Sequence, residues 1–294
     1  MSQTEIKRLV EARLPEPGMV ETGVPGMRLF RVEEPVRCAP AVYEPTVVAI
    51  VGGTKEAVLD GTRHVYGADR YLVCPLPLPV EAGTPLASPD APLLGVQIML
   101  DARVMTDLVL AMDRAGGGAP SGPAATSGLA LAPWDDAFAE ALLRLVRLAD
   151  RPAEAAVLGE GRVRELCHAV LMGGAGTAAR RAYGIGNGIA RAIEHLASRL
   201  DEPVTIDDMA ARAHMSRAVF HRRFKEATRQ SPIQFAKAMR LNAAAMRIAS
   251  GTTVSAAAAD VGYASPSQFS REFRRAYGRS PRDWRGAGQP GAVM

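Results

Sequence analysis

A guanidinium carries five N–H donors in a planar fork, and that fork can bridge O6 and N7 of a guanine in the DNA major groove. Two arginines of this 294-residue chain, Arg222 and Arg271, are set in segments that share one grammar. The first segment runs Ile206-Asp207-Asp208-Met209-Ala210-Ala211-Arg212-Ala213-His214-Met215-Ser216 and continues Arg217-Ala218-Val219-Phe220-His221-Arg222-Arg223-Phe224. The second runs Val254-Ser255-Ala256-Ala257-Ala258-Ala259-Asp260-Val261-Gly262-Tyr263 and then Ser265-Pro266-Ser267-Gln268-Phe269-Ser270-Arg271-Glu272-Phe273. In each, a small residue (Ala210, Ala258) permits close helix crossing, and a turn follows four residues later. A second short helix then places two Phe at i, i+4: Phe220 and Phe224 face inward with Met209 and Ile206, as do Phe269 and Phe273 in the second copy. The outer faces hold Arg217, Ala218, His221, Arg222 and Lys225 in one copy, and Ser267, Gln268, Ser270, Arg271 and Arg274 in the other. A helix braced in this way can enter a major groove.

Arg222 and Arg271 are therefore the predicted base readers, with Gln268 and Ser267 beside Arg271; Ala218 is small enough only to touch a thymine methyl. Arg217, Lys225, Lys237, Arg240, Arg274, Arg275 and Arg279 are predicted phosphate contacts, which position a protein without reading sequence. Alanine at Arg222 is expected to weaken only specific binding, and alanine at Lys237 to weaken all DNA about equally. An arginine on an exposed helix is usually just a solvated charge; the duplicated pattern singles these two out.

The elements that must hold these side chains are announced by their caps. Ser231-Pro232-Ile233-Gln234 and Ser265-Pro266-Ser267-Gln268 both read as capping boxes with proline at the first helical position. Thr205 precedes Asp207-Asp208, acids suited to a helix's positive first turn. Helices are thus predicted to start near 206, 232 and 266, and the 232–249 helix, ended by Gly251, becomes a strut between two reading heads. Gly262 falls where the turn favours positive φ, and the first head has His214 there. Histidine tolerates that region less freely, so the first turn is expected to be either strained or of different geometry.

This layout resembles the DNA-binding domain of the AraC/XylS family of bacterial transcription regulators from about Gly188 to Arg285. The resemblance extends to Ser231-Pro232-Ile233-Gln234-Phe235, Arg240-Leu241, Gly262-Tyr263, Arg274-Arg275, Tyr277-Gly278, Ser280-Pro281 and Trp284-Arg285. It implies base contacts from Ala218, His221 and Arg222, double-stranded promoter DNA and RNA polymerase as partners, and often a homodimer on direct repeats. A second likeness, Gly23-Val24-Pro25-Gly26-Met27 through Tyr43-Glu44-Pro45 to Gly67 and Leu78-Pro79-Val80, is to the cupin-like N-terminal domain of one AraC-type subgroup.

Charge divides along the same line. Residues 187–294 hold 17 Lys and Arg against 9 Asp and Glu, and residues 1–186 hold 18 against 22, so a net +8 faces a net −4. A polyanion partner suits only the C-terminal part. With 48% hydrophobic and 22% charged residues the composition is that of a globular protein, and no apolar run reaches the roughly 18–20 residues of a membrane span. The start, Met1 to Arg8, lacks the apolar core of a signal peptide, and Cys38, Cys74 and Cys167 form no framework; a cytoplasmic protein is expected.

Before the heads, residues 1–16 read as a helix. Strands are predicted at Met27–Val32, Thr46–Val51, Ala57–Leu59, Thr62–Tyr66, Tyr71–Val73 and Leu93–Leu100, with Asp60-Gly61 as a hairpin turn. Asp101 caps a helix to about Met112, Arg114–Gly128 is a Gly/Ala/Pro/Ser-rich loop, and helices follow at Trp134–Ala149 and Pro152–Met172, serving either dimerisation or packing within the domain. Gly184-Ile185-Gly186 reads as a hinge.

The expected fold is α+β in two domains. Residues 1–183 form a cupin-like β-barrel or jelly roll with flanking helices, binding a small-molecule effector or partner; residues 184–294 form an all-α double helix-turn-helix. Among the histidines (His64, His168, His195, His214, His221) there is no metal-ligand spacing, so no cofactor or metal is expected and no catalytic residue is assigned. The leading reading is a sequence-specific regulator, an activator by resemblance. Its rivals are a cupin-type metal-dependent enzyme with a DNA-binding tail and a non-specific architectural DNA binder.

Overall fold

The computed structural model describes residues 2–116, 128–184 and 187–285. Most of the 114–128 loop, and Ile185 and Gly186 of the expected hinge, lie outside the described residues. Helix α1 (Ser2–Arg13) ends shortly before Pro15 and buries Ile6 and Val10, one turn apart, on a sheet face. Then come β1 (Gly18–Glu21), β2 (Met27–Val32), β3 (Val36–Tyr43), β4 (Thr46–Gly52), β5 (Thr54–Leu59), β6 (Thr62–Gly67), β7 (Arg70–Cys74), β8 (Leu78–Thr84) and β9 (Leu93–Met99). A tenth strand, β10 (Ala130–Pro133), follows helix α2 (Ala102–Arg114).

These strands form an antiparallel sheet of six, in the order β1-β2-β9-β4-β7-β10, facing a sheet of four, β3-β8-β5-β6. Strand periodicity sorts the side chains. On β4, Val47, Ala49 and Val51 point to a helical layer, while Val48 and Ile50 point between the sheets. The Asp60-Gly61 hairpin forms as expected: Leu59 pairs with Thr62, and both turn residues have positive φ, 50° and 74°.

Sequence reasoning missed four strands, β1, β3, β8 and β10, and proline explains the two longer ones. Pro40 lies on the edge strand β3, and Pro79 lies on the stretch of β8 that pairs with β3 alone, so neither removes a ladder bond the sheet needs.

The outer face of the larger sheet is covered by α1, α2, α3 (Asp136–Val146), α4 (Pro152–Met172) and α5 (Gly176–Tyr183). Asp101 Oδ1 caps α2 by accepting from the backbone of Arg103 and Val104. Helix α3 stops short of the expected Ala149, because Arg147–Asp150 tightens into a 3-10 turn. Its Phe138 ring stacks on Tyr71 of β7, with centroids 3.8 Å apart. Helix α3 packs on α1 and α4, whereas the N-terminal half of α4 leaves Val157 81% exposed.

The remainder is helical: α6 (Gly188–Ala197), α7 (Ile206–Arg212), α8 (Arg217–Thr228), α9 (Pro232–Ala249), α10 (Val254–Ala259), α11 (Pro266–Tyr277) and α12 (Pro281–Arg285). Gly188 sits where α6 meets the end of α7; a Cβ there would lie 2.2 Å from the Ala213 carbonyl oxygen. Helix α9 docks on β3 and β8 of the smaller sheet, and a continuous apolar cluster runs from the space between the sheets into the helical region.

Candidate nucleic-acid interface

Both heads form, with their helices starting at the expected Ile206, Pro232 and Pro266. Helices α7 and α8 make the first head, and α10 and α11 the second. Ala210 and Ala258 are buried at the crossings, and Phe220, Phe224, Phe269 and Phe273 are fully buried. The two turns are closed by matching backbone bonds: Met215 N to Ala210 O and Tyr263 N to Ala258 O, each 3.0 Å. His214 and Gly262 stand at the same point of these turns, with φ of 54° and 80°. The first turn therefore has the same geometry as the second, and a histidine occupies the left-handed position.

This symmetry places the charges. Arg222 and Arg271 each follow the first buried Phe of their helix by two residues, and both are exposed. Ala218, His221, Ser267 and Gln268 are exposed as well, as are Arg217, Lys225, Arg274, Arg275 and Arg279. The N-cap residues Ser216 and Ser265 open the two recognition helices. Helix α9 spans from one head to the other, with a full capping box at its start between Ser231 and Gln234.

Residues 23–178, more than half of the chain, match the family described as the AraC-type transcriptional regulator N-terminus. The chain belongs to the AraC-type transcriptional regulators. Residues 209–287 match a helix-turn-helix domain, spanning both heads. The regulatory protein SoxS of Salmonella typhimurium is 33% identical over 94 residues, 32% of this chain and 88% of that one. The RCS-specific transcriptional activator RclR of Escherichia coli is 37% identical over 82 residues, 28% of this chain and 29% of its own length. Unsaturated-fatty-acid-bound ToxT of Vibrio cholerae shares the fold, with a TM-score of 0.51 and 10% identity over 92% of this chain and 97% of that one. This regulator is thus a DNA-binding protein with an N-terminal domain of its family's kind. No described helix is long and apolar enough to cross a membrane. Among the described residues, no three or more His, Cys, Asp or Glu are grouped to hold a metal ion.

Three expected phosphate contacts have other partners in this regulator, the most exposed being Arg217, whose Nη1 lies 3.5 Å from Asp207 Oδ2. Arg240 donates from Nε to the Leu200 carbonyl at 3.0 Å and from Nη2 to the Glu202 carbonyl at 2.7 Å, which fastens α9 to the segment after α6. Lys237 pairs with Glu272 of α11, Nζ to Oε2 at 3.0 Å. The capping box expected at Ser265 is only half made. Ser265 Oγ accepts from Gln268 N, but the Gln268 side chain turns away and donates Nε2 to Glu272 Oε1 at 3.3 Å. The reciprocal box at the first head is instead Thr205 with Asp208.

Glu272 is the residue sequence reasoning passed over. Its carboxylate also accepts the Tyr263 hydroxyl at 2.8 Å. Burial alone would push its pKa up, but the bonds from Lys237, Tyr263 and Gln268 outweigh that and hold it below the ordinary carboxylate range. Asn242 on α9 was also missed. It is buried, and it donates to the carbonyls of Ala41 on β3 and Val80 on β8. The i, i+4 spacing of Gln268 and Glu272 was a readable signal; nothing local marked Asn242.

Proposed function

We propose that this regulator reads two short base sequences on one face of promoter DNA, one with each head, about one helical turn (~34 Å) apart. Ala218, His221 and Arg222 contact bases in the first groove, and Ser267, Gln268 and Arg271 in the second. Arg217, Lys225, Arg274, Arg275 and Arg279 contact phosphates; Lys237 and Arg240 serve the protein's own architecture. The observation that carries this reading is the equivalence of Arg222 and Arg271 on two heads with matching turns. Footprinting of the full-length protein along its own upstream DNA tests it. A bounded protected site that survives competitor DNA is expected, whereas uniform weak protection with a steep salt slope favours an architectural binder.

Residues 1–183 form the regulatory domain and residues 184–294 the DNA-binding domain, acting in the cytoplasm. A small polar effector binds between the two sheets. In support, the hydroxyls of Tyr43, Tyr66 and Thr84 and the Gln97 Oε1 are buried there with no hydrogen-bond partner among the described residues, a cost that a polar ligand relieves. The Tyr43 and Tyr66 hydroxyls are neighbours without hydrogen-bond geometry, and burial raises the pKa of both phenols. Lys55, paired with Tyr66 across β5 and β6, reaches to 5.4 Å from the centre of the Phe30 ring on the opposite sheet.

The effector signal travels through Asn242, which ties strut to sheet. A homodimer forms through the exposed start of α4 around Val157, and the bound protein activates transcription by touching RNA polymerase.

A further inference from the structure

We propose that Glu272 is a positioning residue for the second head, fixing the Gln268 amide so that this head selects adenine over guanine at one base position. The proposal rests on the reading that Gln268 faces a base. Gln268 and Glu272 lie one turn apart on α11, and an exposed pair of that spacing standing alone holds an amide only loosely. Here the carboxylate is itself held by two other elements. Lys237 reaches it from the strut α9 at 3.0 Å, and Tyr263 reaches it from the turn of the second head at 2.8 Å. The acceptor seen by Gln268 is therefore fixed relative to the whole head.

A carboxylate offers acceptors only, so Gln268 approaches it through Nε2 and not through Oε1. That determines which way round the amide sits. One Nε2 hydrogen is committed to Glu272, and the other remains beside Oε1 as a donor–acceptor edge. Adenine presents the complement in the major groove, an N6 donor beside the N7 acceptor. Guanine presents two acceptors, N7 and O6, so one of them meets Oε1 and is repelled.

The test uses full-length protein and a pool of duplexes randomised across the binding site, with base preference measured position by position. For the native protein, adenine exceeds guanine by about tenfold at one position next to that read by Arg271. Gln268→Ala abolishes this preference and no other. Glu272→Gln lets either end of a neutral amide face Gln268, so the preference falls to about threefold or less. The protein stays folded, and the positions read by Arg222 in the first head stay unchanged.

A Glu272→Gln protein that keeps its adenine preference, while Gln268→Ala loses it, overturns the positioning role and leaves Gln268 as a base reader. If Gln268→Ala changes no position, the reading of Gln268 itself fails, and the proposal with it. Should Glu272→Gln not fold, Lys237→Met releases the carboxylate from the strut with Gln268 intact. A reduced preference is expected there too, and an unchanged one overturns the proposal.

Discussion

The Tyr277 hydroxyl, at the end of the second recognition helix, donates to Asn242 Oδ1 at 2.6 Å, while the Asn242 amide donates to the Ala41 and Val80 carbonyls at 2.8 and 2.9 Å. One buried side chain thus joins reading head, strut and regulatory sheet, with both of its ends satisfied. Asn242→Ala leaves a buried hydroxyl and two carbonyls short of partners and is expected to cost about 2 kcal/mol in denaturant unfolding. Tyr277→Phe is expected to cost about 1 kcal/mol, and the double variant less than the sum, because the groups share one network. Amide exchange in Asn242→Ala should quicken at β3 and at the end of α11 but not in α8; equal quickening everywhere would deny the coupling role.

The matched turns make opposite predictions for two residues. Gly262 has φ of 80°, and a Cβ there would stand 2.9 Å from the carbonyl oxygens of Leu200 and Asp201. Gly262→Ala combines backbone strain with a clash and is expected to lower stability by about 2 kcal/mol or more. His214→Gly relieves a left-handed histidine at φ 54° and is expected to be neutral or mildly stabilising, with DNA affinity retained. Urea melts of both variants check this, and a large loss of affinity in a folded His214→Gly protein would contradict it.

Legibility in the sequence tracks how local the determining physics is. The heads are set by caps, Phe pairs and turn residues within about twenty positions, and their starts at 206, 232 and 266 are where the sequence put them. The strands β3 and β8 were hidden because Pro40 and Pro79 are tolerable only at an edge, and edges are a property of the finished sheet. The partners of Lys237 and Arg240 were hidden for a related reason. Whether a cation on a helix meets phosphate, carboxylate or carbonyl depends on what the strut lies against, and spacing within one helix does not carry that.

These partners change which variants separate positioning from reading. Lys237→Ala disturbs Glu272 and hence the second head, so Arg279→Ala, an exposed cation beyond α11, is the better phosphate probe. It is expected to weaken specific and non-specific DNA about equally and to reduce the salt slope by about 1. Arg222→Ala should weaken specific binding alone, by about tenfold or more. Titrations at several salt concentrations distinguish the two patterns.

Lys55 predicts a pH dependence. Burial lowers its pKa from the ordinary 10.5 to about 8, so below pH 8 the folded protein carries a charge its surroundings disfavour. The unfolded chain holds that proton up to its higher pKa, so this contribution to stability improves as pH rises from about 8 towards 10. Lys55→Met is expected to be more stable than the native protein at pH 7, by on the order of 2 kcal/mol, with the difference shrinking as pH rises through that window. Paired unfolding curves at about pH 7, 8.5 and 10 measure it, and a difference that grows with pH would refute it.

Binding-site selection with the native protein, Arg222→Ala and Arg271→Ala tests the two-headed reading most directly. The native protein should enrich two short boxes centred about 10 base pairs apart, each arginine variant losing information in one box only. Enrichment of a single box, or loss of the same positions by both variants, would contradict it.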